Sequence, residues 1–471
     1  MVFKQIYEEK LSQYTYLIGC QASGEAIIVD PMRDIDRYQN IAEKDGLRIE
    51  AATETHIHAD YLSGLREFAE AGAKVYASDE GGSDWKYEWL PGSSYDYQLI
   101  KDGDKFSVGN IHFETRHTPG HTPEHLSYLV TDGAAADEPM GILTGDFIFV
   151  GDVGRPDLLE SAAGQEGVME ASARQLFKSV EKFKSMPEYL QVWPGHGSGS
   201  ACGKALGSVP ESTVGYELRF NPSIQATDTE QHFVDFVLDG QPEPPLYFAR
   251  MKRDNRSGPT VLGDLPRPSK IEMAKIASRG SQPDATVIDT RGRIEFMNAH
   301  LRESLLAQFD KHFNTIVGSY VDENDEIFLI INDEEVDTAI RDLVRIGLDN
   351  IQGYATPADL EQFFSLADAE QIETVNFEQA RSQITDKEYA ILDVRKATEF
   401  REGHIEGAVN IAHTRLADEV EKLDQDKDWL VYCRSGRRAS VASALLKRNG
   451  LNVTYVNDQI EKALNGELVT T

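Results

Sequence analysis

The chain has 471 residues, about three times the roughly 150 of a typical domain, so its length predicts about three domains. It carries 47 lysines and arginines against 79 aspartates and glutamates, a formal net charge of −32. This charge argues against nucleic acid or an anionic membrane as the main partner, because both would repel the protein. With 40% hydrophobic residues, a globular chain is expected and a disordered acidic one is not.

The three cysteines, Cys20, Cys202 and Cys433, are scattered and too few for a disulfide framework, which favours a reducing compartment. The first ten residues lack the apolar segment of a signal peptide. No window reaches the ~18 apolar residues that a membrane helix needs. We therefore expect a soluble, cytoplasmic protein.

In the first half of the chain, short apolar runs alternate with loops rich in Gly, His and Asp. The runs predict strands at residues 26–30, 49–53, 73–77, 112–116, 126–130 and 140–143. Helical periods lie between them, as at residues 61–71 and 167–183. This pattern predicts an α/β domain whose histidines are placed where strands end.

Between residues 221 and 270 the pattern loosens and prolines interrupt it. A basic cluster lies at residues 252–256. We interpret this segment as a partly extended connector that packs on a neighbour. The first domain then covers residues 1–245 and the linker covers residues 246–270.

The remainder contains a degenerate internal repeat. The stretch V-I-D-T-R at residues 287–291 matches I-L-D-V-R at residues 391–395, and the Glu, Phe and His that follow match at the same spacing. We therefore expect two copies of one α/β domain, at residues 271–365 and 366–471. The copies differ after a later strand, where the second has Cys433 and the first has Asn332 and Asp333.

Four loops of the first half place a histidine or carboxylate beside Gly or Pro, each after an apolar run. They read T-H-I-H-A-D-Y (residues 55–61), H-T-P-G-H-T (117–122), T-G-D (144–146) and W-P-G-H-G (193–197). Any single histidine of this kind is more often a hydrogen-bonded structural residue. Four such loops in this order predict side chains that converge on a metal.

These loops resemble those of the metallo-β-lactamase fold, over about residues 1–240. That family binds metal through an H-x-H-x-D-H loop, a T-P-G-H-T loop, a bridging Asp and a late P-G-H-G histidine. In this chain Tyr61 stands where the last histidine of the first loop belongs. By the family's logic that histidine serves a second metal site with Asp60 and His196. The resemblance implies an αββα sandwich with an intact first metal site, and Tyr61 argues against a binuclear zinc centre.

Within that fold, T-G-D-F-I-F-V-G-D-V-G-R-P-D-L at residues 144–158 is similar to the persulfide dioxygenases. The resemblance implies one Fe(II) per chain, held by His56, His121 and Asp146. Two histidines and one carboxylate leave up to three positions open on Fe(II), enough for a thiolate sulfur and dioxygen together. A closed four-ligand zinc site would leave no such room.

Arg155 matches that family's arginine near the pocket, where a guanidinium would hold an anionic persulfide. A structural ion pair with Asp152 or Asp157 is the alternative. The resemblance leaves other polar residues to orient the ligands, namely His58, Asp60 and His196. The remaining histidines of the first half are expected to be structural, namely His112, His117 and His125.

The sequence C-R-S-G-R-R at residues 433–438 lies between an apolar strand and a helical stretch. Backbone N–H groups, the helix N-terminus and Arg434, Arg437 and Arg438 would favour a thiolate, which can carry sulfane sulfur as a persulfide. This resembles the active loop of rhodanese, and the signature D-V-R-K-A-T-E-F-R-E-G-H-I-E-G-A-V-N-I at residues 393–411 matches the same family.

The rhodanese resemblance implies catalytic roles for Cys433, Arg434 and Arg438 and an inert first copy. A buried structural cysteine and a Cys-dependent phosphatase are the alternatives for this loop. Cys202 follows His196 in a Gly-rich stretch, which predicts a place near the metal pocket. Its role, receiving or relaying sulfur against passive packing, stays open, and Cys20 is expected in the core.

Nearly the whole chain resembles fusions of a persulfide dioxygenase with rhodanese domains. This implies oxidation of a low-molecular-weight thiol persulfide by O2 to sulfite, then transfer of sulfane sulfur to sulfite, giving thiosulfate. Such sulfide-detoxifying proteins are mostly dimers or tetramers, so a homo-oligomer is expected. The alternatives are a binuclear zinc thioester hydrolase of the glyoxalase II type and a sulfur carrier with a scaffold metal domain. The sequence does not choose among glutathione, coenzyme A and bacillithiol as the thiol.

Overall fold

The computed structural model describes residues 1–161, 167–365, 367–385, 389–464 and 469–470. The chain divides into two compact units. The first comprises Met1–Gln241, Tyr247–Asp264 and Val344–Gly347, and the second comprises Pro242–Leu246, Leu265–Leu343 and Leu348–Thr471. Among the described residues, no helix combines the length and the apolar character needed to cross a bilayer.

Two six-stranded sheets form the first unit. The first sheet has the spatial order Val2–Glu8, Gln13–Cys20, Glu25–Val29, Arg48–Thr53, Lys74–Ser78 and Tyr97–Ile100. The second has the order Ser212–Thr213, Gln191–Pro194, Gly141–Gly145, Leu126–Asp132, Ile111–His117 and Lys105–Val108. A hairpin of Ile148–Phe149 and Asp152–Val153 lies beside them.

The two sheets pack face to face because their strands alternate in which side chains they bury. In Gln13–Cys20, Tyr16 and Ile18 enter a core with Phe113 and Leu126 of the second sheet. Leu17 points the other way, into a layer shared with helical residues. A third core covers the outer face of the second sheet. The structure thus confirms the predicted αββα sandwich.

Helices cover both outer faces of the sandwich, and further helices follow its last strand in the sequence. They are Asp36–Lys44, Leu65–Glu70, Leu158–Ser161, Met169–Phe183, Val214–Phe220, Pro222–Gln225, Glu230–Leu238 and Phe248–Ser257, with a 3-10 turn at Ser83–Trp85. The helix predicted at residues 61–71 begins only at Leu65, because the preceding residues form a loop whose backbone is hydrogen-bonded elsewhere.

The segment at residues 221–270 contains three helices joined by stretches without helix, as a partly extended connector would. Asn221 and Thr229 cap two of its helices, each accepting backbone N–H groups with its side-chain oxygen. A third helix, Phe248–Ser257, runs through the proposed linker and belongs to the first unit. The boundaries predicted for the domains stay a prediction.

The second unit contains two parallel five-stranded sheets of one topology. The first has the order Ser269–Lys270, Ile351–Ala355, Glu326–Ile330, Ala285–Asp289 and Leu305–Leu306. The second has the order Glu373–Val375, Asn452–Val456, Asp428–Tyr432, Ala390–Asp393 and Val409–Asn410. His404–Ile405 and Val469–Thr470 form a separate antiparallel pair.

Helices of the second unit follow the same alternating plan. Those of the first copy are Met273–Gly280, Arg293–Asn298, Phe313–Tyr320, Val336–Arg345 and Pro357–Phe364, with a 3-10 turn at Asp333–Glu335. Those of the second are Phe377–Thr385, Ala397–Glu402, Arg437–Arg448 and Glu461–Leu464, with 3-10 turns at His413–Asp418 and Val420–Lys422. The α/β architecture predicted for this part is confirmed, and the strands of both sheets run parallel.

In both copies the repeated Asp and Arg form the same ion pair, and the Arg also donates to a backbone carbonyl. Arg291 donates through Nη2 to Asp289 at 2.7 Å and to the carbonyl of Ala299 at 2.7 Å. Arg395 repeats this with Asp393 at 2.6 Å and the carbonyl of Gly403 at 2.7 Å. The repeated signature is therefore structural, which explains why a copy without its cysteine keeps it.

Candidate metal centre and sulfur-transfer loop

The predicted metal ligands converge in the first unit. His56, His121 and Asp146 are buried, and their ligand atoms lie within 4.8 Å of one another. His121 Nε2 lies 3.4 Å and His56 Nε2 3.9 Å from Asp146 Oδ2. Each residue follows the end of a sheet strand, so the strands of the sandwich fix the backbone positions of the three residues.

The other ring nitrogen of each histidine is already engaged. His56 Nδ1 lies 3.0 Å from Thr55 Oγ1, and His121 Nδ1 lies 3.1 Å from the carbonyl oxygen of Arg155. A carbonyl can only accept, so His121 carries its proton on Nδ1 and presents a lone pair on Nε2. Both rings are thus oriented as metal ligands usually are.

The donor set fits a cation. Neither carboxylate oxygen of Asp146 has a hydrogen-bond partner among the described residues. Burial raises the pKa of Asp146 well above its ordinary value and lowers the pKa of His121 to about 4. A divalent cation would keep that carboxylate ionised and would use the neutral imidazoles. The His-His-Asp set can therefore hold a metal ion.

A second group lies beside the first and contains Asp60, His196 and Cys202, all buried. His196 Nε2 is 3.5 Å from Asp60 Oδ2 and 3.5 Å from Asp146 Oδ2. Gly195 permits this approach, since a Cβ there would meet Asp146 Oδ1 at 2.6 Å. Cys202 thus lies beside the predicted metal ligands, as its position in the sequence predicted. Burial, and to a lesser extent the nearby carboxylates, raise the pKa of its thiol well above the ordinary value.

Tyr61 is buried but engaged away from these two groups. Its hydroxyl donates to the carbonyl of Asp30 at 3.3 Å and accepts from Gln13 Nε2 at 3.3 Å, while its ring stacks on His58. Burial alone would lower the pKa of His58, but its hydrogen bond to Asp30 and nearby carboxylates raise it to about 9. His58 is therefore paired with Asp30, as an orienting residue would be.

Two residues that hold the ligand loops were not identified from the sequence. Asp30 adopts a left-handed backbone (φ 54°) and accepts the N–H of Thr55 at 2.6 Å. Its place after a strand, before Pro31, was the available signal. His125, expected to be structural, accepts the N–H of Asp146 at 3.1 Å and so fixes the backbone of a ligand.

Asn255, on the helix Phe248–Ser257, is a third such residue. Its side chain donates to the carbonyls of His58 and Tyr61 and accepts the N–H of Ser63, each at 2.8 Å. It thereby closes the loop that carries His56, the first of the predicted metal ligands. No local sequence pattern marks it, because its partners lie far away in the chain.

Asn255→Ala should loosen that loop and destabilise the first unit. Three buried backbone groups would lose their partners, at an expected cost of about 2–4 kcal/mol. The free energy of unfolding from urea titration and the metal content per chain both measure this. Asn40→Ala, an exposed helical change, is the control. Unchanged stability and metal content in Asn255→Ala would contradict the clamping role.

Arg155 is buried and engaged with its own neighbourhood. Its Nε and Nη2 donate to Asp157 at 3.0 and 2.6 Å, and Nη1 donates to the carbonyl of Ala201 at 2.9 Å. The structural ion pair considered as the alternative is therefore present, with Asp157 and not with Asp152. A direct role in holding substrate stays a prediction.

The second unit places Cys433, which is buried, between the strand Asp428–Tyr432 and the helix Arg437–Arg448. Gly436 caps that helix in the left-handed conformation (φ 83°), where a Cβ would meet the side chain of Asn457 at 2.7 Å. The helix N-terminus therefore follows the cysteine directly, an arrangement that suits an anion.

The three arginines of this loop have different partners. Arg438 pairs with Glu399 through both terminal nitrogens, one at 2.8 Å, and Arg434 lies 3.5 Å from Glu461 with its side chain 70% exposed. Arg437 pairs with Asp310, which belongs to the first copy. The copy without a cysteine thus contributes a residue to the loop of the other.

The geometry agrees with comparisons to known proteins. The metallo-beta-lactamase superfamily matches residues 9–196, and the rhodanese-like domain family matches residues 376–464. The mitochondrial persulfide dioxygenase ETHE1 of Bos taurus is 31% identical over 202 residues, which cover 42% of this chain and 68% of that protein.

Two further relatives set the limits of this likeness. The probable polyketide biosynthesis zinc-dependent hydrolase BaeB of Bacillus velezensis is 26% identical over 231 residues, 49% of this chain and 89% of that protein. A crystal structure of a metallo-beta-lactamase from Staphylococcus aureus subsp. aureus COL is 40% identical, with a TM-score of 0.68, and covers 76% of this chain and 99% of its own. The chain therefore belongs to the persulfide dioxygenase family of the metallo-β-lactamase superfamily and carries a rhodanese-like domain near its C-terminal end.

Proposed function

We propose that this protein couples two reactions of sulfide detoxification. The first unit oxidises a low-molecular-weight thiol persulfide: RSSH + O2 + H2O gives RSH, sulfite and two protons. The second unit carries sulfane sulfur on Cys433 and transfers it to sulfite, so that thiosulfate leaves and the thiolate returns. The buried set of His56, His121 and Asp146, from which a persulfide dioxygenase draws its metal ligands, is the observation that carries this proposal.

One Fe(II) per chain, held by these three residues, would supply the redox chemistry between dioxygen and the persulfide sulfur. The protein's part is to hold and orient. Thr55 and the Arg155 carbonyl fix the two rings, and the N–H of Asp146 donates to His125. The burial of all three ligand residues excludes bulk water, which strengthens the electrostatic interactions at the site.

Sulfur transfer requires only that the Cys433 sulfur form and then release one sulfur–sulfur bond. Its thiolate attacks the outer sulfur of a persulfide, which releases the thiol and leaves a cysteine persulfide; sulfite then attacks that sulfur and frees the thiolate. Arg434 and Arg438 lie in the same loop and would attract the dianionic sulfite. Joining both sites in one chain raises the local concentration of the shared sulfite.

A second candidate function is a zinc-dependent hydrolase with two metal ions. It draws support from the group of Asp60, His196 and Cys202, which offers a further three ligand atoms beside the first set. Tyr61 supplies no ligand there, since its hydroxyl bonds to Asp30. About two zinc ions per chain, together with thioester hydrolysis, would favour this function over the dioxygenase.

The test is oxygen uptake by protein reconstituted anaerobically with Fe(II) and given glutathione persulfide, with sulfite and thiosulfate assayed together. Uptake with thiosulfate as the main product supports both sites and their coupling. No uptake by protein shown to hold its iron would overturn the dioxygenase. Persulfide on Cys433 without uptake would identify a sulfur carrier instead.

Asp310→Asn should strengthen sulfite binding at the sulfurtransferase site. Removing this carboxylate leaves Arg437 without its anionic partner, so its charge acts fully on an incoming anion. Because the pair is partly exposed, we expect a modest two- to fivefold fall in the KM for sulfite, about 0.5–1 kcal/mol. Asp322→Asn, an exposed turn residue of the same copy, is the control. A KM that does not move would mean that the pair is only structural.

We also propose that the protein works in the cytoplasm, because its three cysteines are free thiols. A homo-oligomer, dimer or tetramer, is part of the same proposal. Sedimentation of the purified full-length protein tests the oligomeric state.

A further inference from the structure

The helix that follows the sulfur-transfer loop (residues 433–438) lies along the sheet of the first copy, and its two ends fix the direction. At its last residue, Arg448 donates to Thr286 Oγ1 at 2.9 Å, near the start of a strand of that sheet. At its first residue, Arg437 pairs with Asp310, which follows the end of the neighbouring strand. The sulfur-transfer loop therefore lies at the carboxyl ends of the first copy's strands, the edge at which parallel α/β sheets usually bind ligands.

Arg293 lies at the same edge. It begins a helix four residues after the strand Ala285–Asp289 ends. Burial raises the pKa of Tyr455, the Arg293 charge opposes this, and the Cys433 charge adds to it. The Tyr455 hydroxyl in turn lies against the loop, since a Cβ on Gly436 would meet it at 2.7 Å. A guanidinium of the first copy is thus within electrostatic reach of the cysteine loop of the second.

Arg293 has no protein partner within the described part of the chain. Its Nε is buried without a hydrogen-bond partner, and its guanidinium forms no ion pair there. Two acidic residues near it in the sequence are engaged elsewhere. Glu295 accepts the N–H of Gly292 at 2.9 Å, and Asp289 pairs with Arg291 at 2.7 Å. A half-buried cation without an anionic partner is costly, so this position suits an anion from outside the chain.

Resting on the proposed sulfur transfer, we propose that Arg293 binds the sulfite that accepts sulfur from Cys433. The three arginines of the sulfur-transfer loop each pair with a carboxylate, so Arg293 brings a positive charge that no carboxylate neutralises. A planar guanidinium donates two parallel hydrogen bonds to two oxygens of one oxyanion. It therefore favours sulfite over an acceptor without oxygen atoms. The copy without a cysteine then selects the acceptor for the copy that has one.

The test compares sulfite with cyanide as the acceptor for the full-length protein, with glutathione persulfide as the donor and oxygen absent. Cys433 takes the outer sulfur of the persulfide and releases glutathione. Sulfite or cyanide then takes that sulfur, leaves as thiosulfate or thiocyanate, and restores the Cys433 thiolate. Arg293→Gln should lower kcat/KM for sulfite about tenfold, the effect of one charge-assisted contact. For cyanide, a linear anion without oxygens, kcat/KM should change less than about twofold.

Arg302→Gln is the matched control, since it removes the same charge from an exposed side chain of the same copy. Its neighbour Glu303 acts electrostatically on Arg448, at the other end of the helix that follows the loop. This variant should keep both acceptor values. Arg293→Lys keeps the charge without the paired donors, so its value for sulfite should lie between those of the wild type and Arg293→Gln.

Three outcomes of this comparison overturn the proposal. One is a kcat/KM for sulfite in Arg293→Gln that stays within about twofold of the wild type. Another is an equal fall for sulfite and cyanide, which would indicate a structural role. The third is a higher KM for glutathione persulfide with sulfite unaffected, which would assign Arg293 to the donor.

A binding measurement separates this inference from the sulfurtransferase reaction itself. Cys433→Ser cannot accept sulfur, so its affinity for thiosulfate can be measured by calorimetry without turnover. Adding Arg293→Gln to this variant should weaken thiosulfate binding about tenfold, and adding Arg302→Gln should not. If the wild type transfers no sulfur while this difference holds, the proposed function fails and Arg293 keeps its anion site. Absence of thiosulfate binding to Cys433→Ser, or equal binding with and without Arg293, overturns the role of Arg293.

Discussion

Asp146→Asn should abolish oxygen uptake and metal binding together while leaving the first unit folded. The asparagine keeps the shape of the side chain but removes the one negative charge of the ligand set. Outer-sphere changes alone weaken metal binding 10–100-fold, so loss of a charged ligand should exceed about 100-fold. We expect less than about a tenth of the wild-type iron after desalting, and oxygen uptake to fall in proportion.

The stability of the same variant makes the prediction sharper. The carboxylate of Asp146 is buried without a hydrogen-bond partner among the described residues, so the metal-free variant should be at least as stable as the metal-free wild type. Added Fe(II) should raise the unfolding temperature of the wild type and leave that of Asp146→Asn unchanged. Asp146→Ala should lose the iron in the same way.

Asp60→Asn is the matched comparison, since Asp60 is also buried and belongs to the neighbouring group. A mononuclear centre predicts that this variant keeps about one iron per chain. Full iron and activity in Asp146→Asn would mean that the ligand set is misassigned. Loss of one of two bound metals in Asp60→Asn would point to the binuclear alternative.

Cys433→Ser should separate the two half-reactions. Serine fills nearly the same space but cannot carry sulfane sulfur, so thiosulfate formation should fall to background. Oxygen uptake should stay within about twofold of the wild type, because the metal ligands belong to another compact unit. Sulfite should therefore accumulate in place of thiosulfate. Simultaneous assay of oxygen, sulfite and thiosulfate measures all three.

Cys20→Ser is the control for loss of a thiol. Cys20 lies in the first unit, where its sulfur accepts the N–H of Asn110 at 3.3 Å, and it belongs to neither proposed site. This variant should make thiosulfate normally. If oxygen uptake vanished in Cys433→Ser while Cys20→Ser behaved normally, the two reactions would not be independent.

Local motifs and repeated spacing made two features predictable from the sequence, the metal site and the pair of similar domains. Loops that end strands beside Gly or Pro pointed to a metal site, and the resemblance to persulfide dioxygenases singled out His56, His121 and Asp146, which the structure brings together. The internal repeat predicted two similar domains, and their sheets have the same strand order. Such features depend on neighbours a few residues apart, which a sequence shows directly.

Contacts between distant segments were not predictable in the same way. Asn255 bonds to His58 across 197 residues, and Arg437 meets Asp310 across 127. Nothing in the local pattern of either segment specifies its partner, since packing of whole elements creates these contacts.

The position of Asn255 also sets an order of events during synthesis. Domains fold from the N-terminal side as the chain emerges from the ribosome. The last strand of the sandwich is Ser212–Thr213, yet Asn255, which holds the loop after Arg48–Thr53, lies beyond it on Phe248–Ser257. On the proposed function, stable metal capture would therefore be a late step of biogenesis. A nascent chain arrested before residue 255 would lack the hydrogen bonds of Asn255 that hold the loop carrying His56.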